Sequence, residues 1–471
     1  MAGAERDEPY VGLVSEAAGL SRNESARLEG PTLGQTAALI TSLGLVLWAM
    51  ATWPAVMTVV LAATAQAAFL VCALWRVLTV VVSQPGQDDL VIHDILPRYT
   101  VLAALHDEAA VTPQLIERLS RIDYPADRLQ GFLVLEAHDR ATIAVANATP
   151  RPAWLNILVA PPGFPRTKPR ALNYALERAT GDLLTVYDAE DEPHPLQLRE
   201  AAARFHADHT RRLACLQAPL RIRVVDGTRS PFLDRHFAVE YASLFEVALP
   251  AMARLGLPFP LGGTSNHFRV DVLRAVGGWD AYNVTEDADL GFRLWRKGWR
   301  LGVISRPTFE GPPGGLEHWL PQRVRWLKGY MQTWGVHTRA PWRLGGLGAL
   351  ALVMSIGVGL TAAAVHGPSI AWVVTALLTA ANSRITPVTP AGSMIVMFLG
   401  AAAAWLSGLI GARRAGVTYS VRDMLAAPVY WSLLSLAFAH AAWRLVREPF
   451  AWDKTSHRPD KPAIGPTVAQ R

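Results

Sequence analysis

The chain has 471 residues, too many for one ordinary domain, so at least two units are expected. Its net charge of +6 is modest; it suits a membrane-surface domain or a phosphorylated substrate and makes no case for nucleic acid as a partner. The two cysteines, Cys72 and Cys215, lie in regions of different character and point to neither a disulfide framework nor a zinc site.

Hydrophobic residues make up 51% of the chain, concentrated in two blocks, 35–82 and 344–445, each holding runs that match the roughly 20 apolar residues a spanning helix needs. Residues 1–34 are polar and mixed in charge, without the basic start and apolar core of a signal peptide, and are expected to form a flexible cytosolic tail. In the first block Leu39–Ala51 and Ala55–Val82 flank Thr52-Trp53-Pro54, where proline favours a break, so two helices in a hairpin are predicted. The loop between them carries no Lys or Arg and Arg76 lies near the second exit, which places both flanks on the cytosolic side. Ser83–Asp89 reads as a turn-rich linker.

The segment 83–315 has the charge density of a soluble domain. Apolar runs at Tyr99–Leu105, Gly131–Leu135, Trp154–Val159 and Leu183–Tyr187 alternate with helical spacing at Pro113–Ile122 and Lys168–Ala179, which predicts a mostly parallel α/β sheet covered on both faces. Ligands of such sheets bind at the carboxyl ends of the strands. There stand Glu136 and Asp139 after the second run, and Asp188, Glu190 and Asp191 after the fourth. Carboxylates so placed often only cap a turn or helix, but two acid-bearing ends in one sheet argue for a site. Asp188-Ala189-Glu190 can offer alternate carboxylates to one hard cation, Mg2+ or Mn2+, that also holds a diphosphate. Lys168, with Arg166 and Arg170 nearby, approaches the same region.

In Leu261–Phe268 the glycines permit close approach of a ligand, and Gly263, Thr264 and Ser265 are candidates to bind sugar hydroxyls of an acceptor. Thr285-Glu286-Asp287-Ala288-Asp289 reads as a helix start with Thr285 as N-cap. Capping alone accounts for such acids, yet a carboxylate held at a pocket also makes a general base. Residues 316–343 hold a helix, Leu316–Trp334, with one aromatic face and Arg323, Arg325 and Lys328 on the other, as expected of a helix lying at a membrane surface. Beyond it, Leu344–Val365 and Met394–Ile410 are good spans, Ile370–Ala381 is short, and Leu425–Leu445 is apolar with His440, Trp443 and Arg444 inside. Two to four of these cross. With four there are six helices in all, the favoured count, and both termini are cytosolic, but Arg413, Arg414 and Arg422 then lie outside; with two, those arginines are inside. Residues 446–471 are read as a cytosolic tail.

Taken in order, Lys168-Pro169-Arg170-Ala171-Leu172-Asn173, Asp188-x-Glu190, Thr285-Glu286-Asp287 and Gln322-x-x-Arg325-Trp326 resemble the motifs of membrane-embedded family 2 glycosyltransferases, the group of bacterial cellulose, hyaluronan and β-glucan synthases. The resemblance implies a GT-A fold, a Rossmann-like mixed sheet in a cytosolic domain, joined to an α-helical transmembrane domain. It implies a multi-pass enzyme of the cell (inner) membrane, a hexosyltransferase using a UDP-sugar and a divalent metal. Glu136 or Asp139 would contact the uracil and Lys168 the nucleotide, with Asp188 and Glu190 at the metal and diphosphate. Asp287, beside Glu286, would be the base, and Gln322, Arg325 and Trp326 would hold the diphosphate and the acceptor sugar. The leading expectation is a processive β-glycan synthase that also translocates its product; the alternative is single transfer to a lipid acceptor. A transporter with a regulatory domain leaves the acids unexplained. The first acidic motif departs from the usual adjacent aspartates, reading Glu136-Ala137-His138-Asp139, and the metal motif ends in Glu190, or arguably Asp191. With only a short polar stretch after Leu445, the cyclic-di-GMP-binding domain of cellulose synthases and its regulation are not expected here.

Overall fold

The structure is a computed structural model and describes residues 20–28, 30–84, 96–223, 230–382 and 391–452. In chain order its main elements are α1 (Leu33–Thr52), α2 (Pro54–Val82), β1 (Tyr99–Leu105), β2 (Leu129–Glu136), α3 (Arg140–Ala148), β3 (Leu155–Ala160), α4 (Lys168–Leu176), β4 (Leu183–Tyr187), β5 (Glu192–Pro193), β6 (Leu213–Gln217), β7 (Leu220–Ile222) and α5 (Pro231–Ser243). There follow β8 (Asn266–Arg269), α6 (Glu286–Arg296), β9 (Arg300–Val303), β10 (Thr308–Glu310), α7 (Leu316–Thr338), α8 (Gly345–Leu352), α9 (Val358–Asn382), α10 (Ala391–Ala415) and α11 (Val421–Arg447).

Seven strands form one mixed sheet in the order β3-β2-β1-β4-β8-β6-β9. The four expected runs are its parallel half, β3, β2, β1 and β4. β1 and β4 are buried nearly throughout, as strands covered on both faces must be. The other half was not read from the sequence: β8 runs antiparallel to both β4 and β6, inside the stretch expected to be a ligand loop. A small second sheet, β5-β10-β7, closes over the carboxyl end of β4. The GT-A-like arrangement is as the motifs imply.

Among the described residues, five helices are long and apolar enough to cross a membrane: Leu33–Thr52, Pro54–Val82, Pro341–Thr375, Ile395–Ala415 and Val421–Arg447. The favoured count of six is corrected, because the expected spans 344–365 and 370–381 belong to one continuous helical run, α8 into α9 through a π turn. Arg414, at the end of α10, donates to the carbonyls of Glu246 and Ser83, so it lies against the catalytic domain rather than across a bilayer from it. Both ends of α11 are also tied to that face. Asp423 binds Arg235 of α5 at 2.9 Å, and the carbonyls of Glu448 and Ala451 accept from Lys328 of α7.

Helix α7 departs from a surface-lying helix. Trp319 is fully buried, Arg323 is buried against Glu240 (2.7 Å), and Lys328 is fully buried. The polar face is covered by α5 and α11 instead of by water.

The expected flexible tail is also corrected in part. Residues 1–19 lie outside the described residues, as do 85–89 of the expected linker and the tail from 453 onward. Ser25 and Ala26, however, are buried, the Ser25 hydroxyl and Ala26 N–H both donating to Asp280 at 2.8 and 2.6 Å. Arg339 at the end of α7 caps the carbonyls of Asn23, Ser25 and Leu28. Removing residues 20–28 would leave Asp280 buried with two donors lost, a cost of about 1–3 kcal/mol. A shorter chain starting at residue 30 is expected to unfold several degrees lower in a thermal melt in detergent; an unchanged midpoint would make the segment ornamental.

Candidate active site

Strand ends and the start of α6 converge on one cavity of about 1690 Å3. On the catalytic side it is lined by Glu136, Lys168, Asp188, Glu190, Gly263, Glu286 and Asp287, and by Gln322, Arg325 and Trp326 of α7. All but Glu136 and Gly263 belong to the four motifs, brought together from segments spread over about 160 positions.

Asp188 and Glu190 leave the end of β4 half-buried and facing the cavity. Asp191 turns inward: its carboxylate takes the Asp188 N–H at 2.7 Å and the Thr264 hydroxyl. That leaves Glu190, rather than Asp191, beside Asp188 at the cavity, and makes Asp191 a clamp on the turn. Burial, then the charges of Asp188 and Glu190, push the Asp191 carboxyl well above the usual range. Burial, then the charges of Asp191, Glu190 and Asp188, raise Glu310 of β10, an acid the sequence reading missed because a three-residue strand carries no pattern. Lys168 bonds Asp188 and donates to the Gly263 carbonyl at 2.8 Å. Burial opposes its charge, but Asp188, Glu286 and Asp287 outweigh that and hold the ammonium above its ordinary value.

Asp188, Glu190, Asp191 and Glu310 thus crowd one another, and the buried Asp191 Oδ1 has no hydrogen-bond partner. That excess of oxygen donors fits a hard divalent cation, with Asp188 and Glu190 as its holders. A second group, His106, Asp107 and Asp139, has ligand atoms within 4.8 Å of one another. It fits less well, since the two Asp139 oxygens already accept the N–H groups of Asp107 (2.6 Å) and Thr142 (3.1 Å).

Those bonds correct the expectation for Asp139: it is buried as the N-cap of α3 and does not line the cavity. Glu136 does, held by Arg170 at 2.5 Å, with His106 and His138 edge to face beside it (5.0 Å). The histidines escaped the sequence reading because a lone His after a strand gives no spacing signal.

The acceptor triplet divides. Gly263 lies open to the cavity, where an added Cβ would stand 3.2 Å from Asp287 Oδ2 and 3.9 Å from Asp188 Oδ2. Thr264 is buried with its hydroxyl on Asp191 and the Val186 carbonyl. Ser265 is fully buried at positive φ and donates to Thr308 Oγ1 at 2.6 Å. Neither hydroxyl is available to a sugar: Thr264 braces the acid turn, and Ser265 ties its segment to β10.

Thr285 precedes α6, but its side chain makes no capping bond. Asp289 belongs to a buried structural triad with Arg293 and His337. Glu286 and Asp287 remain for chemistry. Burial first, then mutual repulsion, raises Glu286 to about 8; burial, with Asp188 adding to it, raises Asp287 to about 6. Asp287 Oδ1 accepts the Ala288 N–H, leaving Oδ2 turned toward Gly263. From α7, Gln322 Oε1 and Arg325 Nε are buried without hydrogen-bond partners, as expected of donors and acceptors awaiting a ligand. Arg325 stacks on Trp452 at 4.6 Å, and Trp326 packs beside Phe237 and Tyr241.

The family model described as glycosyl transferase family group 2 matches residues 183–445, more than half of the chain. The chain belongs to this family. Among curated relatives of this glycosyltransferase is the probable glycosyltransferase YdaM of Bacillus subtilis (strain 168), 24% identical over 237 residues, 50% of this chain and 55% of the relative. The β-monoglucosyldiacylglycerol synthase of Synechocystis sp. is 27% identical over 247 residues, 50% of each chain. A cellulose synthase catalytic subunit (UDP-forming) of Komagataeibacter sucrofermentans is 28% identical over 171 residues, covering 35% of this chain and 22% of that one. The chain thus spans about half the length of the first two. Among solved structures, a mannosyltransferase of Pyrobaculum calidifontis, in complex with GDP-Man and Mn2+, aligns with 81% of this glycosyltransferase and 96% of that chain, with a TM-score of 0.51 and 15% identity; the likeness is one of fold.

Proposed function

We propose that this glycosyltransferase moves one hexose from a UDP-sugar to a hydroxyl of a lipid acceptor, with inversion at the anomeric carbon. The observation that supports the lipid reading is the cavity itself. It continues without a break from the acids into the membrane helices, where mostly apolar residues line it, among them Ala65 and Ala68 of α2, Val358 and Leu360 of α9, Ala401 and Ala404 of α10. Such walls suit acyl chains, whereas a channel for a polysaccharide calls for polar and aromatic groups along its length. The processive reading keeps the aromatic members of the wall, Phe69, Trp334 and Trp431 with Trp326, whose faces suit sugar rings.

Asp287 Oδ2 takes the proton from the acceptor hydroxyl as its oxygen attacks the anomeric carbon. The bond from that carbon to the diphosphate breaks, and the diphosphate departs with the electron pair. Lys168 and Arg325 receive the developing charge, Arg325 through the forked contacts a guanidinium makes with phosphate. A divalent cation, Mg2+ or Mn2+, held by Asp188 and Glu190 would offset further charge on the leaving diphosphate. Glu136 and the two histidines form the nucleobase end. With α11 tied at both ends to the catalytic domain, α1, α2, the α8–α9 run and α10 make four crossings, with the catalytic domain on the cytosolic side and Arg413 and Arg414 beside it.

The test is UDP release by purified protein in nanodiscs, with UDP-hexoses tested singly. Release is expected to need both Mg2+ or Mn2+ and a lipid acceptor, and to fall to background with a chelator. Release that persists at full rate after chelation would contradict the role given to Asp188 and Glu190.

A further inference from the structure

We infer that Arg76 is the anchor for the phosphate of an anionic lipid, held in the membrane-side half of the cavity with its hydroxyl-bearing headgroup toward Asp287. The inference deepens the lipid reading above and rests on it for the reaction, though not for the binding.

Arg76 stands on α2, within two turns of its end, in a helix with no other charged residue. α2 turns one face to the cavity, with Phe69, Cys72, Arg76 and Thr79 at helical spacing. An arginine near a helix end often extends along the helix to the lipid headgroups. Arg76 instead faces inward, and among the described residues its guanidinium makes no hydrogen bond or ion pair. The acid facing this region from α5 is Glu240, which is already engaged: Arg323 donates to it at 2.7 Å and the Tyr430 hydroxyl at 2.6 Å. That cluster is neutral without Arg76, so the Arg76 charge is left uncompensated.

A second unsatisfied group lines the same compartment. His366 of α9 has a buried Nδ1 with no partner, its ring stacked on Trp431 at 5.5 Å. A full charge and an orphaned imidazole nitrogen in a largely apolar chamber are costly unless an anionic ligand with oxygen atoms meets them. A lipid-borne phosphate is such a ligand, since it carries its own apolar chains for the walls, and a free nucleotide does not. The phosphate is that of a glycerophospholipid with a polyol head, or that of a lipid-linked sugar; both present a hydroxyl beyond it.

The experiment compares the wild type with Arg76→Gln and Arg76→Lys in phosphatidylcholine nanodiscs. Acceptors are phosphatidylglycerol, a polyprenyl-diphosphate-linked sugar and diacylglycerol, with UDP binding by calorimetry as the check on folding. For whichever phosphate-bearing lipid is the acceptor, Arg76→Gln is expected to raise KM roughly 10- to 100-fold with kcat little changed, and Arg76→Lys to restore part of it. Equal effects on diacylglycerol and the phosphate-bearing lipids, or no effect on any, would overturn the proposal. Where no lipid accepts sugar, native mass spectrometry of lipids retained by the protein decides separately. Phosphatidylglycerol retained by the wild type and lost in Arg76→Gln upholds the anion site while the transfer reading fails. Equal retention by both overturns the site as well.

Discussion

Asp287→Asn is expected to lower transfer by about 10^2- to 10^4-fold, the range of a lost general base, while UDP binding stays near wild type. The amide keeps the shape of the side chain and its bond to the Ala288 N–H, so α6 should not move. What is lost is the oxygen, turned toward Gly263, that receives the acceptor proton. The same assignment predicts the acid limb of the pH profile. Asp287 must be ionised to act, and burial lifts its carboxyl to about 6, so kcat/KM should rise as pH passes upward through that value. Glu286, pushed to about 8, holds a proton at neutral pH and spares Asp287 a second charge beside it. A mutant turning over at the wild-type rate would remove Asp287 from the mechanism.

The second large effect is expected at a position with no chemistry. Gly329 lies in α7 where the helix meets the Thr285-Glu286-Asp287 segment. A Cβ there would come within 2.7 Å of the Thr285 backbone nitrogen and closer still to its side chain. Backbone cannot yield as a flexible side chain does, so Gly329→Ala must part α7 from α6 by several tenths of an ångström or more. Arg325 rides on one side of that contact and Asp287 on the other. Misplacement of this order costs about 10^2-fold in rate when reacting groups must be aligned. Steady-state kinetics should show the loss mainly in kcat, with the melting temperature changed little. An active Gly329→Ala would mean that the two elements need not be held so close.

The parallel half of the sheet and its acid-bearing ends were legible because long buried strands and acids past their ends leave patterns over many residues. β6 to β10 were not, since strands of three to five residues carry too little alternation, and β8 sits where glycines suggested a loop. Among the expected site residues, those supplied by strand ends, by the start of α6 and by α7 line the cavity: Glu136, Asp188, Glu190, Asp287, Gln322, Arg325 and Trp326. Asp139, Thr264 and Ser265 were misread because a polar side chain that braces a turn has the same sequence appearance as one that meets a ligand. The buried Arg323 and Lys328 show the same limit for α7: amphipathic spacing reports a polar face but not that Glu240 and backbone carbonyls cover it.

The measurement that bears most directly on the account is the mass of the product. The protein would be incubated in nanodiscs with a UDP-hexose, Mn2+ and a lipid acceptor, and the lipid fraction read by mass spectrometry. The account predicts one new species, heavier than the acceptor by a single hexose and absent with Asp287→Asn. A ladder of hexose increments, or a high-mass glycan free of lipid, would contradict single transfer and restore polymer synthesis as the reading.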